Sequence, residues 1–240
     1  MKVVVTKDYA EMSLEAAKIV AQLIQSKPDC VLGLATGSTP EGMYAKLVED
    51  CKGGSLDFSD VRSVNLDEYY PIKPDNDQSY RYFMNDKLFN HVNIDKANTN
   101  VPNGMTDDPE AEGARYDKII ADLGGIDLQI LGIGQNGHIG FNEPDDELIS
   151  GTHLVDLTED TIQVNSRFFA SIDEVPKQAL TMGIGSIFTA RSIIIMASGK
   201  NKHAAISKLL EGNLTTQCPA TMLNLHPDVT VICDEAAYKG

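Results

Sequence analysis

Cys30-Val31-Leu32-Gly33-Leu34-Ala35-Thr36-Gly37-Ser38-Thr39-Pro40 is an apolar run that breaks off into small polar residues. Its reading sets the fold. Uninterrupted apolar character without alternation suits a strand buried on both faces, as in a parallel sheet. Thr39 then fits a helix N-cap, and Pro40 the first helical position, where a missing N–H costs nothing. Met43, Tyr44, Leu47 and Val48 continue on one helical face.

The same grammar extends in both directions. Upstream, Val3 to Val5 read as a first strand, Asp8 as a helix cap with Glu11 three residues on, and Met12, Ala16, Ile19 and Leu23 as one apolar face ending before Pro28. Downstream, Val61 to Leu66, Ile126 to Ile133, Ser192 to Ala197 and Val229 to Cys233 are further central strands. Tyr116, Ile119, Ile120 and Leu123 mark a helix closed by Gly124-Gly125. Alternating strands and helices predict an α/β fold: an open, mostly parallel, Rossmann-like sheet with helices on both faces. No repeat, low-complexity stretch or linker interrupts it, so residues 1–240 are expected to form one domain, with 93–110 as a loop.

Composition narrows the function. The chain has 240 residues, and 20 Lys+Arg against 35 Asp+Glu give a formal charge of −15, which argues against a nucleic-acid or anionic-membrane surface. Four cysteines, at 30, 51, 218 and 233, lack CxxC spacing and read as reduced packing residues. No signal peptide or 18-residue apolar segment is evident, and a cytoplasmic protein is expected.

Ligands in open α/β sheets bind beyond the carboxyl ends of the strands, and three loops there are unusually polar. Thr36-Gly37-Ser38-Thr39 offers free N–H groups at a helix start, and Gly37 permits close backbone approach, which together favour phosphate, although a well-capped turn has the same sequence. Asn65-Leu66-Asp67-Glu68-Tyr69-Tyr70 places two acids at a strand end; pleating sends them to opposite faces, and Asp67 is the better candidate for a general base. In Gly132-Ile133-Gly134-Gln135-Asn136-Gly137-His138-Ile139-Gly140-Phe141-Asn142-Glu143-Pro144, the first three glycines formally match a dinucleotide fingerprint, with Asp156 downstream. Gly140 and Pro144 disfavour the helix that the fingerprint requires, so no redox cofactor is expected. An irregular loop carrying His138, Glu143, Asn136 and Asn142 remains, in which a carboxylate orients an imidazole for proton transfer. His91, His153, His203 and His226 lack such company and read as structural, and Gly183-Ile184-Gly185 reads as a structural turn. No HExxH, paired-His or Cys/His spacing points to a metal. Arg167 and Lys202 lie beside loop signals and suit an anion, though the pattern alone favours a solvated surface cation for each.

Taken together and in order, Leu34 to Pro40, Asn65 to Tyr69 and Gly132 to Pro144 resemble the glucosamine-6-phosphate deaminase (isomerase) family. The likeness continues through Asn165 to Phe169, Val175 to Gly185, the stretch around Lys202, and Leu225 to Glu235. The resemblance implies a small-molecule enzyme without cofactor or metal, converting glucosamine 6-phosphate to fructose 6-phosphate and ammonia by a hydrolase-type, isomerising amine release in amino-sugar catabolism. It implies that Asp67 moves a proton from C2 to C1 and that His138, oriented by Glu143 and Asn136, opens the sugar ring. It assigns the phosphate to Thr36, Gly37, Ser38, Thr39, Arg167 and Lys202.

Two departures matter. Residue 136 is Asn where some members have Asp, so it acts by hydrogen bonding alone. The stretch after Asn142-Glu143-Pro144 reads Asp145-Asp146-Glu147, lacking the basic residues of the larger allosteric members, and the chain ends soon after Glu235. The expectation is a non-allosteric monomer, with a weak dimer as the alternative. The competing readings are a 6-phosphogluconolactonase-type hydrolase and a sugar-phosphate sensor without catalysis. Residues 74–82 and those around Phe168 are candidates for a mobile lid.

Overall fold

The computed structural model describes residues 1–166, 169 and 171–240, with backbone alone at Asp160, Val164, Asn165 and Asp173. The chain opens with β1 (Lys2–Thr6), α1 (Tyr9–Ser26), β2 (Val31–Leu34) and α2 (Ser38–Lys52). Next come β3 (Arg62–Asn65), β4 (Asp67–Tyr70), α3 (Tyr80–Met84), β5 (Thr99–Asn100), α4 (Pro109–Asp122) and β6 (Leu128–Gly132). The last third holds β7 (His153–Asp156), α5 (Glu159–Asn165), β8 (Gln178–Thr181), α6 (Ile184–Ile187), β9 (Ser192–Ala197), α7 (His203–Leu210), β10 (Val229–Asp234) and α8 (Glu235–Lys239).

Seven strands form one wholly parallel sheet in the order β1-β10-β9-β6-β2-β3-β5. The six apolar runs expected as strands each contribute one, within two residues at either end. Ile193 to Ala197 of β9 are all buried, which requires cover on both faces of the sheet. At the start of α1, Asp8 accepts from Glu11 N (3.0 Å) while Lys7 N donates to the Glu11 carboxylate (3.0 Å), a reciprocal cap that fixes the first turn. Cys30, Cys218 and Cys233 are buried thiols and Cys51 is half-buried, in keeping with a packing role. No described helix is long and apolar enough to cross a membrane.

The topology also locates a crevice. From β2 the chain moves outward to β3 and β5, then returns to β6 and proceeds the other way to β9 and β10. Winding therefore reverses between the neighbours β2 and β6, and their carboxyl ends diverge into loops of opposite direction.

A second sheet, β4-β8-β7, is antiparallel and was not foreseen from the sequence. Only Leu66 separates β3 from β4, so one continuous stretch serves two sheets. The Leu66 N–H donates to Leu34 O (3.0 Å) in the parallel sheet, and its carbonyl accepts from Met182 N (2.8 Å) beyond β8. Tyr116 of α4 ends the β3–β5 ladder at this point: its phenol accepts from Asn65 N (2.9 Å) and directs its proton towards the carbonyls of Asn65 (2.8 Å) and Asn100 (3.1 Å).

Three further expectations change. α2 starts at Ser38 with Gly37 as its N-cap, so neither Thr39 nor Pro40 holds the position read from the sequence. Gly37 sits at φ +87°, a conformation open to glycine, and this lets the backbone itself turn into the helix without a side-chain cap. The loop expected over 93–110 contains β5 and the first turn of α4, and Ile184 with Gly185 begins α6 rather than a plain turn.

Candidate functional site

Four loops border the crevice, each following one of the adjacent strands β9, β6, β2 and β3. The first runs from Ala35 into α2. Among the described residues, no acceptor is bonded to the N–H groups of Gly37, Ser38 and Thr39, which open the helix. Gly37 and Ser38 are exposed and Thr36 and Thr39 half-buried. A helix of 15 residues adds its dipole, so the loop is a ready anion cradle. A side chain added at Gly132, the last residue of β6, would come within 3.9 Å of the Thr39 hydroxyl, which places the β6 loop beside this cradle.

Asp67 stands where β3 becomes β4, opposite Thr181 in the antiparallel register. It is buried, and burial, followed by the neighbouring charge of Glu68, pushes its carboxyl up to about 8. Glu68 points to the other face, as pleating requires. Its carboxylate accepts from the backbone N–H groups of Tyr69 (2.9 Å), Tyr80 (2.8 Å) and Arg81 (2.9 Å). Of the adjacent acids, Asp67 alone is free to act as a base in the crevice.

The third loop, from Ile133 to Pro144, has no helix, so the formal glycine fingerprint lacks its structural context. Gly134 N bonds to His138 O (2.9 Å), Gly137 adopts φ +85°, and a Cβ at Gly134 would lie 2.4 Å from the His138 ring. The glycines therefore make room for the imidazole rather than for a pyrophosphate. His138 Nδ1 lies 3.1 Å from Glu143 Oε2, and Asn136 Nδ2 donates to the same oxygen at 2.6 Å. Asn136 Oδ1 accepts from His138 N (3.2 Å), so the amide holds both members of the pair. Burial raises the Glu143 carboxyl, but hydrogen bonds from His138, Asn136 and Thr161 outweigh it and hold the group below its ordinary value. An anionic Glu143 favours the tautomer with the proton on Nδ1, leaving Nε2 as the exchangeable nitrogen.

This loop is also brought to Asp67. Phe141 N donates to the hydroxyl of Thr181 (3.1 Å), the cross-strand partner of Asp67, and Asn142 Nδ2 donates to the carbonyls of Ile139 and Met182 (2.9 Å each). A methyl group at Gly140 would lie 2.9 Å from the Thr181 hydroxyl and 3.7 Å from Asp67 Oδ2. A buried carboxylate of raised proton affinity and an imidazole–carboxylate pair thus share one crevice with a helix start whose N–H groups are open to an anion.

The fourth loop follows β9. Asp234, at the end of β10, accepts from the Ser198 hydroxyl (2.5 Å) and from Gly199 N (3.0 Å), shaping the turn that leads to Lys202. Lys202 is half-buried, burial lowers the proton affinity of its ammonium, and no carboxylate lies within ion-pair distance among the described residues. A desolvated cation without an internal counter-ion suits an external anion. Arg167, assigned to the phosphate from the sequence, and Phe168, named for a lid, lie outside the described residues.

Several contributors were missed by sequence reasoning. Thr161 donates to Glu143 Oε1 (3.0 Å) from α5, and Thr181 anchors the histidine loop from β8. Neither has a sequence signal, since each acts across a fold that places it there. Glu68 was visible but set aside.

The sequence matches the family model of glucosamine-6-phosphate isomerases/6-phosphogluconolactonase over residues 7–232. A glucosamine-6-phosphate deaminase of Clostridium beijerinckii is 59% identical over 235 residues, covering 98% of this chain and 97% of that protein. One of Thermoanaerobacter pseudethanolicus is 57% identical, covering 99% of this chain and 94% of its own length. A solved structure of a monomeric glucosamine-6-phosphate deaminase superposes with a TM-score of 0.97 at 49% identity, covering 100% of this chain and 99% of that one. A Thermotoga maritima 6-phosphogluconolactonase shares the fold alone, with a TM-score of 0.74 at 22% identity over 97% of this chain and 98% of its own.

Proposed function

The chain belongs to the glucosamine-6-phosphate isomerase/6-phosphogluconolactonase family, and we propose that it converts glucosamine 6-phosphate and water to fructose 6-phosphate and ammonia. The observation that carries this reading is the pairing, in one crevice, of a buried carboxylate of raised proton affinity with a separate imidazole–carboxylate pair. Two proton-transfer centres are what an aldose-to-ketose rearrangement of a cyclic sugar demands: one to open the ring and one to move a proton along the chain.

The sugar phosphate docks with its dianion on the N–H groups of Gly37, Ser38 and Thr39, near the Thr36 and Thr39 hydroxyls, with Lys202 and Arg167 supplying charge. His138 Nε2 takes the anomeric O1 proton and returns one to the ring oxygen, while Glu143 and Asn136 hold the imidazole. Asp67 then removes the C2 proton; the electron pair forms the C1–C2 double bond of an enolamine as the C1 carbonyl oxygen takes up a proton, and reprotonation at C1 by the carboxyl, with loss of a proton from the nitrogen, leaves an imine at C2. Water adds to that imine and ammonia departs. Hydrolysis is confined to this last step, so isomerising deamination describes the reaction and the label hydrolase does not.

A lactonase reading is disfavoured, since ester hydrolysis has no use for a base poised at C2, and the lactonase likeness extends only to the fold. A pure sensor would not need the Glu143–His138–Asn136 arrangement. The same proposal takes the chain as one cytoplasmic domain acting on a small molecule as a monomer, as the related monomeric deaminase does. Incubation with glucosamine 6-phosphate in deuterium oxide tests the chemistry: the native protein is expected to exchange the C2 hydrogen, and Asp67→Asn to lose this by about 100-fold or more. Exchange retained in that variant would place the base elsewhere.

A further inference from the structure

The buried acid beside Asp67 has no place in the reaction as written. Glu68 is 2% exposed, yet it is not an idle charge: its two oxygens take three backbone N–H groups, and those of Tyr80 and Arg81 are the first two of α3. Ser79 caps the same helix separately, accepting from Tyr82 N (3.0 Å). The anchored helix delivers the Tyr80 ring 4.8 Å from that of Tyr69 and parallel to that of Phe141 at 6.2 Å. Phe141 in turn is tied to Thr181, which faces Asp67 across the β4–β8 pair. A closed circuit therefore runs from Glu68 through α3 and the aromatic rings to the wall of the crevice and back to Asp67.

We propose that Glu68 is a positioning residue for Asp67: its carboxylate, seated on the start of α3, fixes the strand end that carries the base and sets a second negative charge against it. Electrostatics on every side agree. From α2, β4, α3 and α4 the phenols of Tyr44, Tyr69, Tyr80 and Tyr116 respond to the charge of Asp67, and burial keeps all four protonated. Thr181 and Gly140 bring no charge. Arg81 pairs electrostatically with Glu68 and bonds Thr99 through its guanidinium. Burial raises the Glu68 carboxyl, but its three backbone N–H donors and the charge of Arg81 favour its anion, whereas burial and the charge of Glu68 both raise Asp67. The charge so held next to the base raises its proton affinity and strengthens it for removal of a carbon-bound proton.

The inference rests on the proposed reaction for its purpose and for the exchange readout below, whereas the titration readout does not depend on it. In protein labelled with 13C at aspartate carboxyls, the Asp67 signal is identified by its loss in Asp67→Asn and followed against pH. Glu68→Gln is expected to lower the Asp67 midpoint by about one unit or more, as removal of a close like charge does. Glu68→Asp, which keeps the charge but shortens the reach to α3, is expected to hold the midpoint while slowing C2 exchange about tenfold. Ser79→Ala loosens α3 alone and is expected to lower stability with the midpoint unmoved. An unmoved midpoint in Glu68→Gln, a shift of equal size in Ser79→Ala, or native exchange in Glu68→Asp would each overturn the inference. Should Glu68→Gln fail to fold, the other two variants decide it. Should the native protein release no ammonia, the titration still stands and only the proposed reaction falls.

Discussion

At the scale of single residues, environment assigns roles that residue type alone leaves open. Two carboxylates, Asp67 and Glu143, sit in one crevice, yet burial and a like charge raise the first while three donors lower the second. They suit a base and an orienting anion respectively. His138→Gln should therefore slow turnover by about 100-fold by limiting ring opening, while leaving C2 exchange of an acyclic substrate analogue near native. Parallel loss of both rates would mean that His138 also serves Asp67. The raised carboxyl has a thermodynamic consequence. From an unfolded value near 3.8 to about 8 in the fold, Asp67 binds a proton more readily when folded, so stability falls as pH rises between those values and levels off above them. Asp67→Asn is expected to melt several degrees above the native protein at pH 9 and at nearly the same temperature at pH 4. An equal difference at both pH values would show that the carboxylate is not strained by burial.

At the scale of elements, the strands were legible because parallel central strands have to be apolar on both faces. Ser192–Ala197 was delimited to the residue, and the others within two. The Asp8 cap was legible for the same local reason. What could not be read depends on distant partners: β4, β7 and β8 are short, mixed in polarity and paired only with each other, so no periodicity marks them. Three of the four loops followed from knowing where strands end, whereas Thr161 and Thr181 reach them from elements whose placement the sequence does not encode locally. Gly37 was legible as special but for a different reason, since its positive φ, and not a shortage of space, is what requires glycine. The junction between the two sheets offers a test. Tyr116→Phe removes one hydroxyl that bridges β3 and β5 and leaves Asn65 N without its partner, so a loss of about 1–3 kcal/mol in stability is expected from chemical denaturation. A neutral substitution would mean that the split of the strand at Leu66 is held by the backbone alone.

At the scale of the whole molecule, one topological fact organises the rest. The chain reverses its winding between β2 and β6, and the loops that leave the carboxyl ends of the neighbouring strands β9, β6, β2 and β3 carry Lys202, the His138–Glu143 pair, the N–H cradle and Asp67. The formal charge of −15 makes such local placement of positive potential necessary for binding a phosphate dianion. Incubating the purified protein with glucosamine 6-phosphate in EDTA, without added cofactor, and measuring both products tests the proposed reaction itself. Ammonia and fructose 6-phosphate are expected in equal amounts. Neither product, with 6-phosphogluconolactone hydrolysed instead, would contradict that reaction.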